Sequence, residues 1–342
     1  MTTQAPPSFD DLMDTSIHDV APGQGAAVKV LKSNYDQLVG HRNLRTYSTT
    51  EVFHACPRKF AIKKMQAATG TNERLNTPTF AFGHAVGAGV AVYDATQDMR
   101  QAIWAAMLAW DMDLFADERK TGRKNGKSFH EAVWALYEYR TFYEEETDLR
   151  DYEVVGIEQT VAVDFGDEHF YSGHIDELLR NKYTGTYRVK ENKTTGFSNI
   201  DPSLYSNSDQ ALGYSVVIDT LGGGEYEVLY TIYSSTEQRW VQYSFVKQTY
   251  KKADWIQDQL LINQQIDHYS ELKFFPKRGG ACFDYMRRCE YYETCDISFK
   301  SGFGAEFSEL PAIENIEAIS AIEHVDYPAT LQQLIDKQKE TL

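Results

Sequence analysis

The chain has 342 residues, of which 42% are hydrophobic and 25% charged, and its formal net charge is −16. That length can bury a large core in one or two domains, and no apolar run is long enough to cross a bilayer as a helix. Affinity for phosphate backbones comes from lysine and arginine, so the acidic balance excludes indiscriminate coating of nucleic acid and requires any binding surface to concentrate its few cations at one groove.

The first 24 residues are polar and acidic, without the basic start and apolar core of a secretory signal, which predicts a cytoplasmic protein. Residues 1–45, with Pro6-Pro7 and Pro22-Gly23-Gln24-Gly25, read as a weakly ordered arm. Ordered structure is expected from Tyr47, with Ser48 or Thr49 capping a helix that carries Val52, Phe53, Phe60 and Ile62 and breaks near Pro57. Residues 80–116 read as one helix containing a run of small residues from Ala85 to Ala91. A loop with five cations follows between Arg119 and Lys127, and then a helix over 129–145.

Strand signals dominate next. Tyr152–Phe165 and His169–Leu179 read as an antiparallel pair, and Tyr187–Lys193 as a third strand. A helix over 204–221 stops at Gly222-Gly223-Gly224, strands follow at 226–233 and 240–246, and a helix at 252–272. Residues 46–300 are expected to be the folded domain. In residues 301–342 eight acids stand against two lysines, an acidic tail.

One stretch carries chemistry. Asp176 lies in Gly173-His174-Ile175-Asp176, Glu191 and Lys193 in Val189-Lys190-Glu191-Asn192-Lys193-Thr194, and Gln210 and Tyr214 four residues apart on a helix. Residues two apart on a strand share a face, so Glu191 and Lys193 point together and Asn192 points away. With Asp176 on the preceding strand they would form a three-residue cluster at the sheet's edge. Hard divalent ions prefer carboxylate and carbonyl oxygens, which makes Asp176, Glu191 and the Asn192 carbonyl a candidate set for Mg²⁺ or Mn²⁺. Lys193 would position or deprotonate a metal-bound water, or neutralise charge on a phosphate under attack. Gln210 and Tyr214 would share a helix face and brace the acids or bind a nucleic-acid backbone. Taken singly, the same residues would read as a surface ion pair and a turn cap.

At these positions the chain resembles the PD-(D/E)XK nucleases, in their RecB-type exonuclease branch, whose pattern is Gly-x-x-Asp, (Asp/Glu)-x-Lys-Thr and Gln-x-x-x-Tyr. Ile175 stands where the nominal motif has proline, and the second acid is Glu where many members of the branch have Asp. The resemblance implies an α/β fold: a mixed central sheet flanked by helices, with an N-terminal helical region and a C-terminal cluster-binding segment. It also implies that His84, preceded by Gly83, joins Asp176 and Glu191 as a metal ligand.

Cys56, Cys282, Cys289 and Cys295 are the only cysteines. In a cytoplasmic protein four thiols favour a metal over disulfides, either a tetrahedral zinc or an iron–sulfur cluster, with four buried free thiols as the alternative. Similarity to AddB-type helicase–nucleases and CRISPR-associated exonucleases, which pair one early cysteine with three late ones, implies a 4Fe–4S cluster. Cys56-Pro57-Arg58-Lys59-Phe60 matches their early element, while the late Cys-x6-Cys-x5-Cys has a longer first gap than usual.

The expected function is a metal-dependent DNA exonuclease in recombination, repair or processing, with endonuclease activity left open. The rival is a catalytically silent adaptor, recombination- or CRISPR-linked, that binds DNA ends. DNA, single-stranded or at its ends, is the expected partner, together with a recombination or helicase protein, since the chain has no phosphate-binding loop of its own. The loop at 119–127, with Lys63-Lys64, Lys251-Lys252 and Arg287-Arg288, is the expected phosphate grip.

Overall fold

Helix starts and stops in this chain are set by a few capping side chains. A computed structural model describes residues 40–70, 77–110, 114, 127–165, 169–206, 208–219, 227–284, 287–296, 303–313 and 324–326. Helix α1 (Tyr47–Ala55) is capped by Thr46, ahead of the expected Ser48 or Thr49. The Thr46 hydroxyl accepts the Thr49 N–H at 3.2 Å and the Thr49 hydroxyl accepts the Thr46 N–H at 2.7 Å, which fills two donors that a helix start leaves open. Pro57 makes the expected break: it opens α2 (Pro57–Ala68) at a position where its missing N–H costs nothing.

The apolar pattern predicts one helix over 80–116, but two form, α3 (Pro78–Thr96) and α4 (Met99–Ala109). Gln97 takes a left-handed φ of 56° that ends α3, and Asp98 caps α4 by accepting the Arg100 N–H at 2.8 Å. Helix α5 (Phe129–Glu146) follows from its Ser128 cap. Of the basic loop at 119–127 only Lys127 lies within the described residues.

The sheet contains β1 (Leu44–Arg45), β2 (Tyr152–Asp164), β3 (Phe170–Asn181), β4 (Tyr187–Thr195), β5 (Glu227–Ser234), β6 (Arg239–Val246) and β9 (His324–Asp326). Its order is β6-β5-β4-β3-β2-β9, with β1 paired parallel to the start of β3. Strands β2 to β4 form an antiparallel meander, whereas β4 and β5 run parallel and so require a crossover. That crossover, expected as one helix over 204–221, contains α6 (Ser203–Ser206) and α7 (Asp209–Asp219); Gly222-Gly223-Gly224 lies outside the described residues. Helix α8 (Thr249–Glu271) follows β6, and a short hairpin of β7 (Phe283–Asp284) and β8 (Arg287–Arg288) comes after it.

The result is the expected mixed central sheet between helices. On one face α3, α4 and α5 bury Phe82, Val86, Ala102 and Tyr139 against Leu179, Leu229, Tyr233 and Trp240. On the other, α7 and α8 bury Ala211, Tyr214, Trp255 and Ile256 against Val161, Tyr171, Ile175, Val189 and Val228. Gly213 allows this approach, because a Cβ there would stand 2.9 Å from the Trp255 ring and 3.1 Å from Tyr171. A third cluster, Phe53, Phe60, Ile266, Phe275, Tyr291 and Phe307, ties the N-terminal helices to the C-terminal segment.

The expected boundary at 45/46 falls inside packed structure, whereas that at 300/301 lies outside the described residues. Leu44 and Arg45, assigned to the arm, are buried in β1. Within 301–342, Phe307 and Ile313 are buried, α9 (Phe303–Ser308) contacts α2 and α8, and β9 pairs with β2. An acidic composition does not prevent a segment from contributing its apolar residues to a core.

Candidate active site on the central strands

Strand β4 sends alternate side chains to opposite layers. Val189 joins the cluster under α7 and α8 and Glu191 and Lys193 share its face, while Lys190 and Asn192 point the other way. Glu191 is wholly buried, so its contact with Lys193 (Nζ to Oε2, 2.9 Å) is not a surface ion pair. Lys193 also donates to Gln210 Oε1 at 3.2 Å, Gln210 Nε2 donates to the Tyr214 hydroxyl at 2.9 Å, and Tyr214 donates in a close contact to the His174 carbonyl. Four of the five expected catalytic residues thus form one continuous chain, anchored two residues from the fifth, Asp176. The cluster sits on interior strands, not at a sheet edge.

Asp176 reaches this face through an irregularity in β3. Tyr171 and Ile175 pack under α7 and α8 and strict alternation would put Leu178 on the opposite layer, yet Leu178 packs with them and Leu179 goes to the α3–α5 side. The phase therefore inverts across Asp176 and Glu177. Across β2, between the pairs Ile157–Glu177 and Gln159–Ile175, stands Glu158 with a left-handed φ of 48°. Such a conformation is uncommon for a residue with a Cβ, and irregular strand positions collect beside active sites, where they re-aim a side chain. The β3–β4 ladder ends at Glu177–Lys190, and the next free N–H on that side, Asn192's, donates to Asp176 Oδ2 at 2.8 Å. The strands part here, and the Asp176 carboxylate fills the opening.

The electrostatics follow from burial. Desolvation first, then the charges of Asp176 and Glu158, push the Glu191 carboxyl up to about 8 against the opposing pull of Lys193. Burial also raises Asp176, although Lys193 and the Asn192 N–H oppose it. Glu158 is raised by desolvation and then by Asp176, with solvent still open to part of its side chain. For Lys193 burial favours the neutral amine, but Glu191 and Asp176 outweigh it and hold the amine protonated above its usual range. Crowded carboxylates in a desolvated pocket call for more positive charge than one lysine supplies.

Two carboxylate oxygens of these strands are left over, Glu191 Oε1 here and Glu177 Oε2 on the opposite face. Glu191 Oε1 is buried without a hydrogen-bond partner, a costly state for a carboxylate oxygen unless a cation or an ordered water meets it. The donor set, Glu191 Oε1 and the Asp176 carboxylate, suits a hard divalent ion. His84 is placed differently: it is exposed on α3, where the adjacent Gly83 packs toward Thr194 at the end of β4. Among the described residues no three His, Cys, Asp or Glu side chains are gathered tightly enough to hold a single ion, so the His84–Asp176–Glu191 triplet is not assembled.

Behind the site, on the α3–α5 side, lies a second charged cluster with no counterpart in the sequence reading. Lys190 Nζ, fully buried, meets Asp94 Oδ2 at 2.7 Å, Glu177 Oε1 in a short contact, and Asn192 Oδ1 at 2.9 Å. Asn192 Nδ2 donates to Glu177 Oε1 at 2.6 Å and Tyr139 donates to Asp94 at 2.8 Å. Desolvation, opposed by Lys190, pushes Glu177 up to about 8. Asn192 therefore joins the two sides of the sheet, its backbone held on Asp176 and its side chain on Lys190 and Glu177.

The four cysteines, though 226 residues separate Cys56 from Cys282, line one pocket together with Lys59, Lys277, Arg278 and Tyr291. All four thiols are free. The Cys289 N–H donates to the Cys282 carbonyl at 2.9 Å and the Cys295 N–H to the Tyr291 carbonyl at 2.8 Å, which curls the late segment around the pocket. Burial raises the Cys295 thiol, against the pull of Arg58 and Lys277. Of the other expected phosphate contacts, Lys64 and Lys252 are buried and unavailable to a ligand, while Arg287 and Arg288 are exposed.

The family model of the PD-(D/E)XK nuclease superfamily matches residues 46–296 of the chain. Among solved structures, a presumptive exonuclease from Eubacterium rectale is similar at 10% identity and a TM-score of 0.47, over 86% of this chain and 100% of its own. A protein named SSO0001 is similar at 13% identity and a TM-score of 0.26, over 61% of this chain and 84% of its own. No curated protein matches the chain.

Proposed function

The chain belongs to the PD-(D/E)XK nuclease superfamily, and we propose that it is a divalent-metal-dependent deoxyribonuclease, acting as an exonuclease in DNA recombination, repair or processing. The observation that carries this reading is the buried, partnerless Glu191 Oε1 beside Asp176, with Lys193 fixed on the other Glu191 oxygen. Asp176, Glu191 and the Asn192 carbonyl would hold Mg²⁺ or Mn²⁺, which when bound acidifies a water and offsets charge on the scissile phosphate. Lys193 is held protonated by its two carboxylate neighbours, which favours charge neutralisation and orientation of the water over proton abstraction. Gln210 fixes the lysine head, and Tyr214 ties Gln210 to the strand that carries Asp176.

A silent DNA-binding adaptor would have no need of Asp176, Glu191 and Lys193 gathered on one face of the sheet. The deciding experiment is degradation of end-labelled single- and double-stranded DNA with Mg²⁺ or Mn²⁺ by the wild type, Glu191→Ala and Lys193→Ala. Metal-dependent cutting that disappears in both variants establishes the nuclease, and the product ladder gives its polarity. An inactive wild type leaves the adaptor.

For the cysteine pocket the reading is a 4Fe–4S cluster with a structural role. Four thiols share the pocket with three cations, which would complement the negative charge of a thiolate-ligated cluster. A single zinc ion held by the same four thiols is the competing reading, and metal and sulfide analysis separates the two.

A further inference from the structure

Tyr230 stands beside Glu191 in the sheet. Strands β4 and β5 pair in parallel, with Glu191 opposite Tyr230 and Lys193 opposite Ile232. Val228, Tyr230 and Ile232 pack into the same layer as Val189, under α7 and α8. The tyrosine therefore rises from the face that carries Glu191 and Lys193, one strand spacing of about 4.8 Å from the glutamate. The charges of both residues act on its phenol.

The Tyr230 hydroxyl is buried without a hydrogen-bond partner. Other buried tyrosines of the fold are satisfied: Tyr139 donates to Asp94 at 2.8 Å, Tyr233 to Glu131 at 2.8 Å, and Tyr214 to the His174 carbonyl. Ser208 lies near enough to oppose the burial that raises the Tyr230 phenol, yet makes no hydrogen bond with it. A phenylalanine would fill the same space between Tyr205, 5.2 Å away ring to ring, and Phe245, 6.1 Å away, without stranding a polar group.

The partnerless atoms of these two registered neighbours are complementary. Glu191 Oε1 is an acceptor that calls for a cation, and a phenol that burial keeps protonated is a donor that calls for an anionic oxygen. Lys193 adds a further donor. Its ammonium has three protons, of which Glu191 Oε2 and Gln210 Oε1 take two, and its side chain is 34% exposed. A phosphodiester that arrives with a divalent ion meets all three needs at once.

We propose that Tyr230 is a catalytic residue of this site, whose hydroxyl donates to a non-bridging oxygen of the scissile phosphate alongside the third proton of Lys193. This rests on the nuclease reading and adds to it a phosphate donor from the strand next to the one that carries the acid and the lysine. Tyr205, half-buried on α6 and packed against Tyr230, is the ring that a phosphate passes to reach the hydroxyl. Donors already aimed at oxygens that gain charge in the transition state lower the barrier without reorganising.

The test compares the wild type with Tyr230→Phe, which removes the hydroxyl and keeps the ring. With Mg²⁺, kcat on DNA is expected to fall about 10–100-fold, the worth of a hydrogen bond to a charged oxygen. Melting temperature and Mn²⁺ affinity should equal or exceed those of the wild type, a result that a merely structural tyrosine would not give. Sulfur accepts hydrogen bonds poorly, so the wild type should cut one phosphorothioate diastereomer more slowly than the other, and Tyr230→Phe should shrink that difference. Binding of thymidine 3′,5′-bisphosphate, measured with Ca²⁺ in place of Mg²⁺, should weaken about five- to tenfold in the variant. A variant with the wild-type rate, or one whose lost rate tracks lost stability or lost metal affinity, overturns the proposal. An inactive wild type sinks the nuclease reading instead. The bisphosphate comparison then judges Tyr230 alone, and equal affinity in the two proteins overturns its role.

Discussion

Gly173 and Tyr214 approach so closely that a Cβ on the glycine would stand 2.6 Å from Tyr214 Cε1. The glycine that opens Gly173-x-x-Asp176 is therefore a packing requirement: it lets the Tyr214 hydroxyl reach the His174 carbonyl and hold Gln210 behind Lys193. Gly173→Ala is expected to force Tyr214 out of its present position, since the added methyl would occupy space the buried ring now fills. Overpacking of this kind costs roughly 1–3 kcal/mol. Nuclease activity should fall at least about tenfold at a temperature where the variant is still folded, because a misplaced positioning group costs rate beyond its cost in stability. Thermal unfolding and initial rates on the same preparations separate the two effects.

Glu191→Gln and Lys193→Met should both abolish cutting, yet differ in metal binding. Glu191→Gln keeps the shape but removes the charge from the partnerless Oε1, so Mn²⁺ affinity measured by titration calorimetry should drop. Lys193→Met removes a cation beside the same carboxylate and should leave Mn²⁺ affinity equal or higher, while turnover falls by about 10²–10³. Equal metal affinity in wild type and Glu191→Gln would take the ion away from this residue.

What could be read in advance was whatever strand and helix periodicity fixes. The spacing of Glu191 and Lys193 on a strand and of Gln210 and Tyr214 on a helix determines which side chains share a face, and all four meet. The sequence could not show Glu158, because its place beside Asp176 depends on a left-handed backbone at a residue that ordinarily avoids one. Nor could it show the pairing of Lys190 with Asp94, 96 residues earlier in the chain, which exists only once α3 packs on the sheet. A buried lysine reads as a surface lysine until its surroundings are known, and the same holds for Lys64 and Lys252, buried on α2 and α8.

The raised acids give metal-free stability a definite pH dependence. Glu191 and Glu177 each lie at about 8 when folded, above the ordinary carboxylate range of the unfolded chain. The folded state then binds protons that the unfolded state has released, so their contribution is fully present below the unfolded value and lost as pH rises through the folded one. The melting temperature of the chelator-treated protein is expected to fall between about pH 5 and 8. Excess Mg²⁺ should flatten the upper part of that decline by replacing the proton at Glu191, and apparent Mg²⁺ affinity should rise over the same range. A melting temperature that climbs from pH 5 to 8 without metal would contradict the burial of these acids.

The cluster behind the sheet separates stability from positioning. Lys190→Met leaves Asp94 and Glu177 buried without their cation and should destabilise the fold by about 3–5 kcal/mol. Asn192→Ala keeps the ion pairs and removes only the amide that ties the active strand to them. It should cost far less stability yet raise the Mn²⁺ concentration needed for half-maximal activity, because the backbone at Asn192 carries both the N–H on Asp176 and the candidate carbonyl ligand. Chemical denaturation and a metal titration of the rate, run on both variants, test this split. An Asn192→Ala enzyme with an unchanged metal requirement would limit the cluster to a folding role.

The cysteine pocket joins the two ends of the folded region, since Cys56 lies between α1 and α2 while Cys282, Cys289 and Cys295 lie beyond α8. A group ligated by all four closes a loop of more than 200 residues, and the loss of such a closure is felt mainly through the unfolded chain's regained freedom. Protein purified without oxygen is expected to contain iron and acid-labile sulfide in equal amounts. Cys56→Ser should lower both along with the melting temperature, and should leave Mn²⁺ binding at Asp176 and Glu191 intact where the sheet still forms. Stoichiometric zinc without sulfide would replace the cluster by a single ion. Metal-free protein with unchanged stability in all four serine variants would leave four ordinary thiols around the pocket.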